Sequence, residues 1–294
     1  MKLLVAIDSS TQSMAVIDAL AHFKPPEELT LVHALTLPEI DHPMITSDVR
    51  DQVRDDIEKK LRQEGNALLA KTAQELPKDF EPAQQVHQVG SPAEVILETA
   101  QSAQPDMIVL GARGIGRVKE LMLGSVSHRT VLHAPCSIFI MKGSLPSLQR
   151  VLLPLEGEED AQLALQFLAT HPFRESVEIQ LMKIWPQPQT PWPLTLEQNK
   201  LLEEHAITHA QEHLDELSRQ LGTMGYIATS YVGLGDPSYA IIEQQRANQA
   251  DMIMMGSHGR RGLSRFLLGS VSHSVLHEAT CPVLILREGQ YAPK

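Results

Sequence analysis

The chain has 294 residues, of which 43% are hydrophobic and 21% charged, and its formal net charge is −11. That length fits two domains of roughly 150 residues, each able to bury a core, and the composition excludes intrinsic disorder. The acid excess repels phosphodiester backbones and anionic lipid, so neither nucleic acid nor a membrane surface is expected as a partner, and any phosphate site must be built locally.

Met1 and Lys2 lead straight into Leu3-Leu4-Val5-Ala6-Ile7 and then Asp8. This run is too short for a signal segment, and no apolar stretch reaches membrane-spanning length, so a cytoplasmic protein is expected. Further strand-length apolar runs follow at 29–35, 84–89, 107–110 and 137–141. Between the second and third, Val49, Val53, Ile57 and Leu61 recur every four residues, which predicts an amphipathic helix. Strand–helix alternation of this kind predicts an α/β fold, a doubly wound five-stranded parallel sheet with helices on both faces and a ligand site beyond the carboxyl ends of the strands.

After the linker Gly143-Ser144-Leu145-Pro146-Ser147 the order repeats, with runs at 151–155, 177–184, 227–232, 252–255 and 283–286. The repeat extends to residues: Asp106-Met107-Ile108-Val109-Leu110-Gly111 answers Asp251-Met252-Ile253-Met254-Met255-Gly256, and Leu123-Gly124-Ser125-Val126-Ser127-His128 answers Leu268-Gly269-Ser270-Val271-Ser272-His273. Two tandem domains, 1–146 and 147–294, are therefore expected. Cys136 and Cys281 are equivalent positions at the start of each last strand, which predicts two buried thiols in place of a disulfide.

Each copy carries Gly-x2-Gly after its fourth strand and, past nine intervening residues, a Gly-Ser step at the start of a helix: Gly111, Gly114, Gly124 and Ser125, then Gly256, Gly259, Gly269 and Ser270. Glycines let the backbone approach a ligand, and a helix start offers unpaired N–H groups and the positive end of its dipole. The amides of Val126 and Val271 lie at that start. Arg113, Arg117 and Lys119, and then His258, Arg260, Arg261 and Arg265, add positive charge within the loops. A glycine turn can serve structure alone, but both copies keep the full spacing while their neighbours diverge, which favours an anion cradle.

At these residues the chain resembles a tandem member of the universal stress protein family. The resemblance covers nearly the whole chain, including the strand-end Asp8, the Gly90-Ser91-Pro92 and Gly235-Asp236-Pro237 turns, and the Ala134-Pro135-Cys136 entry to the last strand. It implies the adenine nucleotide alpha hydrolase-like fold and an adenine nucleotide as ligand: ATP, or AMP or ADP, with magnesium as an optional companion. Carried over, the ribose falls to Asp8, the adenine to backbone at Ala34, and the phosphates to Gly111, Arg113, Gly114, Gly124, Ser125 and Val126. The matching second-copy positions are Glu156, Ile184, Gly256, His258, Gly259, Gly269, Ser270 and Val271. The longer Glu156 crowds the ribose space unless it swings away, and Lys183 stands where the first copy has His33. The family also implies pairing of the last strands, here within one chain, and a homodimer of chains.

Other constellations carry less. His205, His209 and His213 recur every fourth residue beside the apolar stripe Leu202, Ala206, Ala210, Leu214, Leu217 and Leu221, and read as a solvated flank rather than a zinc set. His128 and His273, one helical turn beyond the Gly-Ser steps, read as packing. Trp185, Pro186, Pro188, Pro191, Trp192 and Pro193 read as a crossover loop: a lid, a partner surface, or a loop that simply packs its own tryptophans. No catalytic residue and no metal ligand is announced. The expectation is a stress-response protein that binds ATP without efficient turnover. A slow ATPase or phosphoryl- or nucleotidyl-transferring enzyme, and an interaction module with vestigial loops and an unknown protein partner, are the competing readings.

Overall fold

The computed structural model describes residues 1–40, 44, 46–80, 83–114, 123–186, 195–257 and 268–288. The first half contains strands β1 (Lys2–Ala6), β2 (Glu28–Leu35), β3 (Ala83–Val89), β4 (Met107–Gly111) and β5 (Ser137–Met141). Its helices are α1 (Thr11–Leu20), α2 (Ser47–Glu75), α3 (Pro92–Ala103) and α4 (Ser125–His133). The second half repeats them as β6 (Arg150–Pro154), α5 (Glu158–Ala169), β7 (Glu178–Trp185), α6 (Leu196–Thr223), β8 (Ile227–Leu234), α7 (Pro237–Ala247), β9 (Met252–Gly256), α8 (Ser270–Glu278) and β10 (Val283–Leu286). Among the described residues, no helix is long and apolar enough to cross a membrane.

All ten strands form one sheet, in the order β3-β2-β1-β4-β5-β10-β9-β6-β7-β8. Within each half neighbouring strands are parallel, as the alternating pattern predicts. Side chains alternate between faces along each strand. Leu3 and Val5 of β1 join the apolar layer beneath α1, α2, α5 and α6, while Leu4 and Ala6 join the layer beneath α3, α4, α7 and α8. Covering both faces explains why β1, β4 and β5 read as unbroken apolar runs.

The halves meet where β5 and β10 pair antiparallel, with Ile140 opposite Val283, Phe139 opposite Leu284 and Ile138 opposite Ile285. All six side chains are fully buried. An unpaired strand of this composition would be an apolar sheet edge open to aggregation, and the pairing removes two such edges at once. Beside it, Phe23 stacks edge-on against Phe139, with ring centroids 5.5 Å apart, and tilts against Phe173.

Two cations close the seam. Lys142 follows β5 and donates to the carbonyls of Leu276, His277 and Ala279 at 2.5, 3.2 and 2.6 Å, at the carboxyl end of α8. Arg287, its counterpart after β10, donates to the carbonyls of Ala134 and, at 2.6 Å, Val131, at the end of α4. Each half thus supplies the cation that satisfies the orphan carbonyls of the other half's last helix, where the dipole is negative. Both side chains are buried.

Cys136 and Cys281 are free thiols, the first buried as expected and the second half-buried, and desolvation pushes both up to about 12. One expectation fails in detail. Val49, Val53 and Leu202 belong to helices α2 and α6 but are exposed, and burial begins further along, at Gly65 and Leu69 in α2 and at Leu214 in α6. The strands beneath them, of seven or eight residues, are far shorter than helices of 28 and 29, so the first turns overrun the sheet. Replacing Arg287 with Met leaves buried carbonyls at the end of α4 without a donor; urea unfolding of the full chain is expected to show a loss of about 1–3 kcal/mol, with Lys142→Met acting in the same direction.

Candidate functional site

In the order β3-β2-β1-β4-β5 the connections reverse between β1 and β4, and a crevice opens at the carboxyl ends of the strands there. It holds a cavity of about 540 Å³, lined by the end of β1 through Ser9, by Val32 to Thr36 of β2 and beyond, by Leu61 to Leu68 of α2, and by Gly111, Arg113, Gly114 and Val126. That volume lies in the range of small-molecule sites.

Asp8 is fixed at the mouth of β1 by its own neighbours. Its Oδ1 accepts from the Ser10 amide at 3.0 Å, the Ser10 hydroxyl at 2.5 Å and the Ser13 hydroxyl at 2.7 Å. Oδ2 faces the glycine loop: a methyl group on Gly114 would sit 2.4 Å from it. One carboxylate oxygen is thus saturated and the other presented to the cavity, which explains why residue 114 has to be glycine. The two serines were not singled out from sequence, although hydroxyls two and five residues after a strand-end acid are a legible signal.

The loop returns to the start of α4. Gly124 N donates to the Ala112 carbonyl at 2.8 Å, and the Ser127 hydroxyl donates to the Gly111 carbonyl at 2.7 Å, locking loop to helix. Gly124 is the N-cap and has no side chain to cap the first-turn amides, among them those of Ser125 and Val126. Ser125 itself is exposed; the hydroxyl that holds the loop is that of Ser127.

Ala34 borders the cavity through its backbone. The Val32 carbonyl takes the Ile7 amide at 3.0 Å, and alternation along β2 turns the Ala34 amide to the same side, where β1 has already ended. Beneath it His33 donates from Nδ1 to the Ile7 carbonyl at 2.9 Å, and its ring lies 5.3 Å from that of His87. Gly65 of α2 admits both rings: a methyl there would stand 2.4 Å from His87 and 2.9 Å from His33.

The second half keeps the loop frame and changes the walls. Gly269 N donates to the Ser257 carbonyl at 2.8 Å, the Ser272 hydroxyl donates to the Gly256 carbonyl at 2.9 Å, and Gly269 likewise offers no side-chain cap to Ser270 and Val271. Glu156, in contrast, is exposed, having swung away. The acid against the loop is Asp160, which accepts from the Glu156 amide at 3.1 Å and lies so close to Gly256 that a methyl there would meet its Oδ1 at 2.0 Å. Burial raises the Asp160 carboxyl above its usual range.

Across this half's strand ends, Lys183 donates to His213 Nδ1 at 3.1 Å and His213 Nε2 donates to Glu158 at 3.0 Å. The hydrogen bond from His213 holds the Glu158 carboxyl below its usual range. His213 stands where the first half has Leu68, a cavity wall, so a polar chain crosses space that is open in the first half. Of the helical histidine series, His205 and His209 are exposed as expected, while His213 is tied inward. Ile184 packs partly buried on the apolar layer. His258, Gly259, Arg117, Lys119, Arg260, Arg261, Arg265, Pro188, Pro191, Trp192 and Pro193 lie outside the described residues.

Desolvation, then the His33 ring and Arg62, push the His87 imidazole below its ordinary value of 6.5. The folded chain therefore resists the proton that the unfolded chain accepts, and the contribution of His87 is complete above 6.5 and lost as pH falls through the folded value. The melting temperature is expected to drop on acidification below about 6.5, with a shallower drop in His87→Gln.

The sequence profile of the Universal stress protein family matches residues 1–142 and again 147–287. A universal stress protein of Mycolicibacterium smegmatis is 28% identical over 207 residues, 67% of this chain and 66% of its own length. Universal stress protein YxiE of Bacillus subtilis is 31% identical over 145 residues, 48% of this chain and 98% of its own. Among solved structures, a universal stress protein from Archaeoglobus fulgidus superposes with a TM-score of 0.67 at 19% identity, covering 98% of this chain and 97% of that one, which is a likeness of fold. Two successive matches that together span nearly the whole length, on a doubly wound frame repeated twice, place this chain in the universal stress protein family.

Proposed function

We propose that the first half, with its boundary at residue 146, holds one adenine nucleotide, ATP foremost, and that occupancy rather than turnover is the output. The observation that carries this reading is the cavity at the β1–β4 switch point, where three kinds of group converge. The backbone of Ala34 offers an N–H donor and a C=O acceptor side by side, the pattern that matches N1 and the 6-amino group of adenine. Asp8 presents Oδ2 to the position a ribose diol would take, its other oxygen being held by Ser10 and Ser13.

The phosphates would meet the first-turn amides of α4 at Ser125 and Val126, the positive end of the helix dipole and the glycine loop at Gly111 and Gly114, with Arg113 at the cavity wall. Of the cavity-lining side chains, Asp8 and Glu64 carry the carboxylates able to take a magnesium ion that accompanies the phosphates. The second half is assigned a weaker or different role, since Glu156 is turned outward and Lys183, His213 and Glu158 link across its strand ends.

Calorimetric titration of the full chain with ATP is expected to give one site. Asp8→Ala and Gly114→Ala are each expected to weaken it about tenfold or more, the loss of one to two charge-assisted hydrogen bonds. Glu156→Ala should leave it unchanged. No measurable ATP binding, or affinity that follows Glu156 instead of Asp8, would overturn the reading.

A further inference from the structure

We propose that His128, His273 and His277 form a three-imidazole site for a divalent transition-metal ion, zinc foremost, across the seam between the two halves. One ligating nitrogen from each of the three lies within 4.8 Å of the others. The ring centroids are 4.5 Å apart for His273 and His277, 5.8 Å for His128 and His273, and 6.1 Å for His128 and His277. Nothing in the nucleotide reading uses these residues.

Three features make the cluster a site rather than an accident of packing. His273 and His277 are four residues apart on α8, the spacing that puts two imidazoles on one helix face, while His128 approaches from α4 of the other half. His277 Nε2 is buried and, among the described residues, has no hydrogen-bond partner, so a lone pair or N–H is left without its due. Duplication accounts for only two of the three: His128 and His273 are equivalent positions, but the first-half counterpart of His277 is Leu132, so the third ligand is an addition on one side only.

Neutral imidazole is a ligand of choice for zinc, which takes nitrogen at about 2.0–2.1 Å and so wants neighbouring nitrogens about 3.4 Å apart in a tetrahedron. Small rotations of the three rings close the remaining gap and leave the fourth position to water. On His277 burial acts first, then the His273 and His128 rings, then Lys142, whose ammonium is engaged by three carbonyls at the end of α8, and Glu278, of opposite sign. An ion here would staple α4 to α8 one turn beyond the amino ends that meet the glycine loops.

Cobalt(II) titration of the metal-stripped full chain, read by the visible bands of tetrahedral cobalt and followed by zinc displacement, is expected to show one ion per chain. His128→Gln and His277→Gln should each lower the affinity about tenfold or more, and His205→Gln combined with His209→Gln should leave it unchanged. X-ray absorption of the zinc-loaded unaltered chain reads the ligand set without any substitution and should show three imidazoles. Zinc absent from the unaltered chain, affinity indifferent to His128 and His277, or binding lost with His205 and His209 would each overturn the proposal.

Discussion

Antiparallel pairing of β5 with β10 is the constraint on which the rest of this molecule hangs. Each half alone would end in a strand whose side chains are apolar at every position but Ser137, with a row of unpaired N–H and C=O groups beside them. Joining the two edges turns both liabilities into the centre of one ten-stranded sheet. Lys142 and Arg287 then fix the relation between the halves by reaching across to the last carbonyls of α8 and α4. The same helices present their amino ends to the glycine loops, so the seam holds the far ends of the helices that carry both loops.

From that near-symmetric frame the halves diverge through a few side chains. Asp8 with Ser10 and Ser13 makes a fixed carboxylate at an open cavity. In the second half the serines are replaced by Glu158 and Ala161, the strand-end Glu156 is exposed, and a half-buried carboxylate, Asp160, leans on the loop instead. The backbone frame of loop and helix start is retained in both halves, with Ser127 and Ser272 making the same bond to the loop. What changes is the side chains around it: an open cavity in the first half, and the Lys183–His213–Glu158 chain in the second.

Much of this was legible in the sequence because it rests on period and spacing. Unbroken apolar strands marked a sheet covered on both faces, the constant offset between copies marked the duplication, and the glycine spacing marked the loops that lock onto the starts of α4 and α8. The less legible parts are those where one residue's role depends on what a distant element brings to it. Glu156 reads as the counterpart of Asp8 by position, yet only the fold shows Asp160 one helical turn on taking the place against Gly256. His213 reads as a helix flank until Lys183 of β7 is seen beside it. Lys142 and Arg287 did leave a signal, a cation directly after each last strand, but its meaning needs the partner helix. The exposed Val49 and Val53 mark the reverse limit, since periodicity reports which face of a helix is apolar but not how far the sheet extends beneath it.

The central claim is a division of labour in which the first half carries the nucleotide and the second does not carry it in the same way. A crystal structure of the full chain grown with ATP tests this most directly. The account predicts adenine against the Ala34 backbone, ribose at Asp8 and phosphates on the amides of Ser125 and Val126. Nucleotide bound at Gly256 and Gly269 with the first-half cavity empty, or in neither half at saturating concentration, would contradict it.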